Sequence, residues 1–272
     1  MPNKTEKLLK KFSKKVYKLF LILGIDLRKT ILALRALPLY VKDYLFFKSQ
    51  KSESRKFFPI IELNPCLEDK YNESGTAKGH YFYQDLLVAQ RIFLNNPEKH
   101  LDIGSRIDGF VAHVASFRKV EVMDIRPLKN TVKNVSFIQA DLMSSIGNER
   151  LEYTDSLSCL HAIEHFGLGR YGDPIKFDGF LLGLGNIYKI LKTNGKLYLS
   201  VPIGPQRIEF NAHRVFSVEF LLKYFEDKFR IDYFSYVDDD GELFEKMELK
   251  SGQITNNFGC YYGCGIFEMT KL

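Results

Sequence analysis

Residues 99–125 constrain this chain more than any other stretch. A short apolar run, His100–Ile103, carries Asp102 near its end and turns at Gly104, and a helix-like segment follows from Phe110 to Phe117. A second apolar run, Val120–Met123, then ends in Asp124. Strand, glycine turn, helix, strand and terminal acid make up the first half of a nucleotide-binding α/β unit. The glycine lets backbone N–H groups approach a ligand, and the acid after the second strand is placed to bind ribose hydroxyls. Asp102 and Asp124 stand 22 residues apart, close to the roughly 20 residues expected for such a unit.

The alternation continues along the chain. Strands are predicted at 135–139, 156–160 and 196–201, with extended runs at 229–236 and 265–270. Helices are predicted at 81–94, 179–191 and 217–224, the second stopping at Thr193-Asn194-Gly195. Such alternation implies a doubly wound, mostly parallel α/β sheet covered on both faces, with ligands bound outside the carboxyl ends of the strands. The segment Gly79–Asp85 is a candidate lid over that end, although a packed aromatic helix reads better.

Three strand ends carry chemistry-bearing residues. Asp141 closes Ile-Gln-Ala-Asp, where it also suits a helix N-cap. The fourth strand runs into Ser158-Cys-Leu-His161-Ala-Ile-Glu164-His165, and Gly167-Leu-Gly-Arg170-Tyr171-Gly-Asp173-Pro174 follows. His165 titrates near neutrality and is the candidate base. Glu164 flanks it, Arg170 can fork onto a phosphate or carboxylate, and Asp173 can accept from sugar hydroxyls. His213 and Arg214 are candidates to reach the same place from the far side. The plainer readings are a capping glutamate, a pocket-shaping histidine and a structural turn ending at Asp173-Pro174.

The first turn lacks the three glycines of a dinucleotide site. It resembles motif I of class I S-adenosylmethionine (SAM) methyltransferases, with Arg106 and Asp108 where that motif carries its second and third glycines; Gly109 offers flexibility one residue later. The Ser158–His165 segment is similar to one frequent in small-molecule methyltransferases. Together with Gly79–Asp85, Leu101–Phe110, Glu164–Asp173 and the basic leader, it resembles a bacterial methyltransferase-like family of unassigned function, often encoded with surface-polysaccharide genes. The resemblance implies a Rossmann-like methyltransferase fold with seven strands, ending in an antiparallel pair, and S-adenosyl-L-methionine as cofactor. Among the cofactor-site residues it implies, Gly104 and neighbouring backbone with Ser105 hold the methionyl end, Asp102 orders the turn, and Asp124 and Ile125 meet the ribose. Asp141 and Leu142 would meet the adenine, and His161 the sulfonium. The acceptor it implies is a small molecule or glycan. A non-catalytic scaffold and a nicotinamide-dependent oxidoreductase or epimerase remain alternatives.

Charge divides the chain. Residues 1–56 hold 15 Lys/Arg against 4 Asp/Glu, a net of +11 in a chain of +6, which leaves −5 for the rest. Two units are therefore expected: a basic helical extension with linker, 1–56, and a methyltransferase-like domain, 57–272. In the leader Val16, Leu19, Phe20, Leu23 and Leu27 recur at helical spacing, with breaks expected near Gly24 and Pro38. Its longest uncharged run, Leu19–Ile25, falls far short of the roughly 20 residues that span a bilayer. An anionic membrane surface is one partner for this arm, and its own domain or a second protomer the other; a nucleic-acid partner is not expected. Cys66, Cys159, Cys260 and Cys264 lack paired metal-ligand spacing, so no metal is expected; with no secretory signal and cleavage site to be read, reduced thiols and a cytoplasmic location are the expectation, peripheral at the membrane's inner face if the leader binds lipid.

Overall fold

The computed structural model describes residues 16–17, 20–58, 60–67, 69–71 and 74–272. The leader positions 1–15 and Leu19 fall outside these residues. The chain divides into two compact units at Thr76/Ala77.

The first unit centres on helix α1 (Leu27–Ser49). Asp26 caps it, accepting from the backbone N–H groups of Arg28 (3.0 Å) and Lys29 (3.3 Å). The expected break at Gly24 is present: its φ of +78° ends the preceding turn. The break expected at Pro38 is absent, and α1 runs through it. Proline removes one N–H and orphans the carbonyl of Leu34, but Leu34 and Pro38 are both exposed, so water can satisfy that carbonyl. Ile31, Leu34, Leu45, Phe46 and Phe47 are also exposed. No described helix is long and apolar enough to cross a membrane.

The second unit is an α/β sheet. Its elements are α2 (His80–Asn95), β1 (His100–Ile103), a π-turn (Ile107–Val111) leading into α3 (Ala112–Ala115), β2 (Val120–Asp124), β3 (Val135–Gln139), β4 (Thr154–Leu160), α4 (Gly179–Ile190) and β5 (Leu191–Ile203). Then come β6 (Arg207–Glu209), β7 (His213–Val215), α5 (Val218–Phe225), β8 (Phe229–Val237), β9 (Leu243–Phe244), α6 (Ser251–Thr255) and β10 (Gly263–Lys271). The order across the large sheet is β3-β2-β1-β4-β5-β10-β8-β9; β1 to β5 are parallel, and β10 runs antiparallel to both β5 and β8. The expected seven strands are all present. An eighth, the two-residue β9, extends the edge beyond β8, and β6 and β7 pair separately.

Each face of the sheet is covered. On one side Leu87, Val88 and Ile92 of α2 pack with Phe110, Val114 and Val122. On the other, Leu184 and Ile187 of α4 and Leu221 and Phe225 of α5 pack with Leu157, Leu199 and Phe267. Burial of such side chains, at about 1.5–3 kcal/mol each, fixes the order of the layers. One boundary differs from expectation. The helix stops at Ile190, and Thr193-Asn194-Gly195 lies inside β5, where the pairing with β4 slips between Thr154 and Ser156. Asn194 adopts φ +63° there, so a signal that resembles a helix stop serves as a bulge.

Because the chain leaves β1 toward β2 on one side and returns to β4 on the other, the sheet has its switch point between β1 and β4. Side chains at the carboxyl ends of these strands face a crevice.

Candidate functional site

The first turn is built on a buried polar ladder. Asp102 is fully buried; one carboxylate oxygen accepts from the Ser105 amide (3.0 Å), the other from the hydroxyls of Ser105 (2.8 Å) and Ser158 (2.5 Å). His100 sits below, between Ser156 (2.8 Å) and Ser158 (3.1 Å). Burial pushes the Asp102 carboxyl up to about 7 and His100 down to about 3. Asp102 thus orders the turn and does not face the crevice.

Gly104 has φ +74°, and a Cβ there would lie 2.8 Å from the Ala162 Cβ. Strain and overlap together cost roughly 2–4 kcal/mol. Gly104→Ala is therefore expected to lower Tm by roughly 5–15 °C in a calorimetric scan. At the unusual positions of the turn, Arg106 and Asp108 pair with each other in the open (2.7 and 3.0 Å). Gly109, at φ −123° and ψ −115°, provides the non-helical residue, and a Cβ there would stand 3.0 Å from an Asp85 oxygen.

Beyond the turn lies a cleft. Of the residues expected at a cofactor, Gly104, Asp124, Ile125, Asp141, Leu142 and His161 line it. Ser105 lines an adjoining cleft, and Asp102 lines neither. Asp124, at the end of β2, holds Arg126 in a two-pronged ion pair (Oδ1–Nε 3.0 Å, Oδ2–Nη2 2.5 Å). Oδ1 also accepts from the Arg126 amide (2.8 Å), so of the carboxylate's roughly four lone-pair sites the one left for a ligand is on Oδ2. Asp141 receives the Met143 amide (2.8 Å) and Ser144 hydroxyl (3.3 Å), while Asn186 of α4 donates to the carbonyls of Leu142 and Ser144 (both 2.8 Å) and pins the loop.

His165 lines the first cleft. Its Nδ1–H donates to the Ala212 carbonyl (2.6 Å), which leaves Nε2 as the basic nitrogen, 3.6 Å from Glu164 Oε1. Burial lowers its pKa despite that carboxylate. Glu164 is 1% exposed and faces neither cleft. It braces two histidines, with Oε1 2.7 Å from His161 Nδ1.

The loop after it differs from expectation. Asp173 borders the first cleft but accepts from the amides of Gly167 (2.8 Å), Gly169 (3.2 Å) and Tyr171 (3.2 Å), so its carboxylate ties the loop. Arg214, 3% exposed, donates to the carbonyls of Glu164, Phe166 and Phe177; it clamps the same loop and does not reach an acceptor. Arg170 lines the second cleft and donates to Ala212 (3.0 Å).

Sequence reasoning passed over Arg126 and undervalued α2 and Tyr171. Tyr171 borders both clefts with the Arg126 guanidinium 4.5 Å above its ring. Tyr81, Gln84 and Asp85 of α2 line the second cleft, and Tyr81 tilts against His161 at 5.2 Å. The lid candidate is thus a helix whose first turns, through exposed Tyr81 and buried Gln84 and Asp85, wall the second cleft. Tyr81 adjoining Gly79-His80 was the available signal, since an exposed aromatic at a helix start has little to do in a core.

Solved structures share this architecture. The 1,6-didemethyltoxoflavin-N1-methyltransferase of Burkholderia thailandensis, determined with 1,6-didemethyltoxoflavin and S-adenosylhomocysteine, aligns over 71% of this chain and 79% of its own, at 14% identity and TM-score 0.51. The N-methyltransferase NodS of Bradyrhizobium japonicum, with S-adenosylhomocysteine, aligns over 71% and 88%, at 11% identity and TM-score 0.47. The first of these likenesses establishes the Rossmann-like methyltransferase fold. No curated protein matches the sequence. Residues 113–257, more than half the chain, match the family described as "Caenorhabditis protein of unknown function, DUF268", and the chain belongs to that family.

Proposed function

We propose that this protein is a SAM-dependent methyltransferase acting on a hydroxyl of a sugar or lipid-linked glycan. One observation carries the reading: Gly104, Asp124, Asp141 and His161, from the ends of four adjacent parallel strands, converge on one cleft at the sheet's switch point. The close approach of Gly104 to Ala162, which admits no side chain, fits a backbone cradle for an adenosyl ligand. S-adenosyl-L-methionine, when bound, supplies an electrophilic methyl group. Gly104 and Ser105 would hold its methionyl end, Asp124 with Ile125 its ribose, and Asp141 with Leu142 its adenine.

The second cleft supports the acceptor class. Tyr81 and Tyr171 offer ring faces, while Gln84, Asp85, Arg106, Asp108 and Arg170 offer donors and acceptors, the mixture that suits a polyhydroxylated ligand. An in-line transfer needs alignment and a base for the hydroxyl proton, and His165 Nε2 is the base in this reading. An NMR titration of the His165 ring is expected to show a midpoint below 6.5. Glu164→Gln lowers it further, because the carboxylate 3.6 Å away favours the charged ring. A midpoint above 6.5 would contradict the lowering burial imposes. Loss of this base, as in His165→Gln, is expected to cut methyl transfer by about 10²–10⁴-fold.

The N-terminal arm, residues 1–56, is proposed to hold the protein on an anionic membrane surface, in the cytoplasm, in cell-surface polysaccharide synthesis. The net charge of +11 and the exposed apolar side chains of α1 support this reading. Flotation with vesicles containing phosphatidylglycerol, with and without residues 1–56, tests it. Isothermal titration with S-adenosylhomocysteine tests the cofactor site, and absence of binding to the folded chain would remove the methyltransferase reading.

A further inference from the structure

Three side chains from distant segments meet beside the two clefts. His80 opens α2, His161 follows β4, and Cys264 lies in β10, paired to Pro202 of β5 and Val237 of β8. One ligand atom from each lies within 4.8 Å of those of the other two. The rings of His80 and His161 lie parallel, 3° apart in plane and 5.3 Å between centroids. Cys264 is fully buried; its sulfur lies 3.8 Å from the Gln84 oxygen and also interacts with the His161 side chain.

His161 is the informative member. Its side chain is 3% exposed. Nδ1 is committed to Glu164, and Nε2 is buried with no nitrogen or oxygen partner, facing the Cys264 thiol. A thiol is a weak hydrogen-bond partner for a buried ring nitrogen. The backbone is also held off the ordinary regions, at φ +48°, by two bonds from the His161 amide, to the Ser200 carbonyl (3.0 Å) and hydroxyl (3.1 Å). Strain of this kind persists where surrounding structure fixes a side chain's direction. A carboxylate on one imidazole nitrogen with the other left open is the arrangement that prepares a histidine to bind a metal, since the carboxylate fixes the tautomer and raises basicity.

We propose that His80, His161 and Cys264 form a site for zinc or a similar borderline transition metal, with the fourth position open to an oxygen ligand. Imidazole and thiolate donors suit Zn²⁺, which binds them at about 2.1 and 2.3 Å and so holds them roughly 3.4–3.6 Å apart. From within 4.8 Å of one another, the three atoms need to close by at most about 1.4 Å to reach that spacing. Glu164 stays outside as the second-layer partner of His161. Among the described residues no fourth His, Cys, Asp or Glu joins the group, and three protein ligands with one open position mark a catalytic rather than a structural zinc. His161 borders both clefts. A hydroxyl of the acceptor taking the open position would be oriented and made more acidic; this role, unlike metal binding itself, rests on the methyltransferase reading.

The test uses the full chain without a histidine tag. Zinc content by mass spectrometry after dialysis is expected to be one per chain, and Co²⁺ titration is expected to give thiolate-to-cobalt absorption in the near ultraviolet. Cys264→Ser, nearly isosteric, and His80→Gln, at a half-buried position, are expected to abolish stoichiometric zinc while retaining a cooperative melt. Glu164→Gln is expected to weaken the metal by about 10–100-fold. Wild-type protein that melts cooperatively yet binds neither zinc nor cobalt overturns the proposal, as does a Cys264→Ser variant that keeps both. S-adenosylhomocysteine titration on the same samples separates the two readings. Nucleoside binding without metal removes only the metal site, and metal without nucleoside binding removes only the methyltransferase assignment and the acceptor role that depends on it.

Discussion

Asp124→Ala is expected to weaken S-adenosylhomocysteine binding by about 10–100-fold. With three sites held by Arg126, the carboxylate has one acceptor site left for a ribose hydroxyl. That charge-assisted hydrogen bond is worth about 1.5–3 kcal/mol, and 1.4 kcal/mol is tenfold in affinity. The effect is separable from folding. Asp124 is tied to Arg126, and the guanidinium left behind is 40% exposed and lies over Tyr171, so water can replace its partner. Arg126→Gln supplies the control: the carboxylate stays while the ion pair goes. Because a partly exposed pair of this kind contributes at most about 1 kcal/mol, binding should stay within about fivefold of wild type. Isothermal titration of the three proteins reads both effects. If Arg126→Gln loses binding as severely as Asp124→Ala, the pair rather than the carboxylate holds the ligand, and the ribose assignment fails.

The parallel half of the sheet was legible because each strand is an apolar run ended by a polar signal. His100–Ile103, Val120–Asp124 and Val135–Gln139 occupy the predicted bounds, and the acids that end the second and third stand at or beside the cleft. What sequence could not show was which polar groups are consumed by folding. Asp173 and Arg214 look available in the sequence, yet one closes its own loop on three amides and the other clamps that loop by three carbonyls. Bonds of this type depend on backbone direction, which residue spacing does not encode. Pro38 and Asn194-Gly195 are the same lesson in backbone form: both carry stop signals, and exposure in one case and strand pairing in the other override them.

The grouping of His80, His161 and Cys264 was illegible for a topological reason. Metal-ligand patterns are read as short spacings, and here the intervals are 81 and 103 residues. In sequence the cysteine nearest Cys264 is Cys260, and no second ligand pair stands near them. In the fold the antiparallel insertion of β10 beside β5 carries Cys264 to the residue after β4 and to the first turn of α2. A late strand placed between earlier ones brings together residues that no local motif connects.

The buried acid under the first turn yields the second large effect. Asp102→Asn should gain stability relative to wild type by about 3–4 kcal/mol as pH rises from 4 to 8. Burial holds the folded carboxyl up to about 7, against the ordinary 3.8 of an aspartate. Between those values the folded state keeps a proton that the unfolded state has released, so the contribution of Asp102 is full below about pH 4 and is lost as pH rises toward 7. Asparagine has no such proton to lose. Its amide can reverse the Ser105 and Ser158 hydroxyls, the latter turning its O–H to His100 Nε2 as the imidazole proton moves to Nδ1 and the Ser156 oxygen, while its oxygen keeps the Ser105 amide. The comparison must be between variants and not within wild type alone. His100 and His80, with pKa values burial lowers to about 3 and about 4, favour the folded state as pH rises toward 6.5 and so mask the carboxylate's slope. Urea unfolding of both proteins across this range isolates the difference. A difference that is flat with pH would mean that the three donors already hold Asp102 ionised, and that the turn is ordered by a buried charge and not by a shared proton.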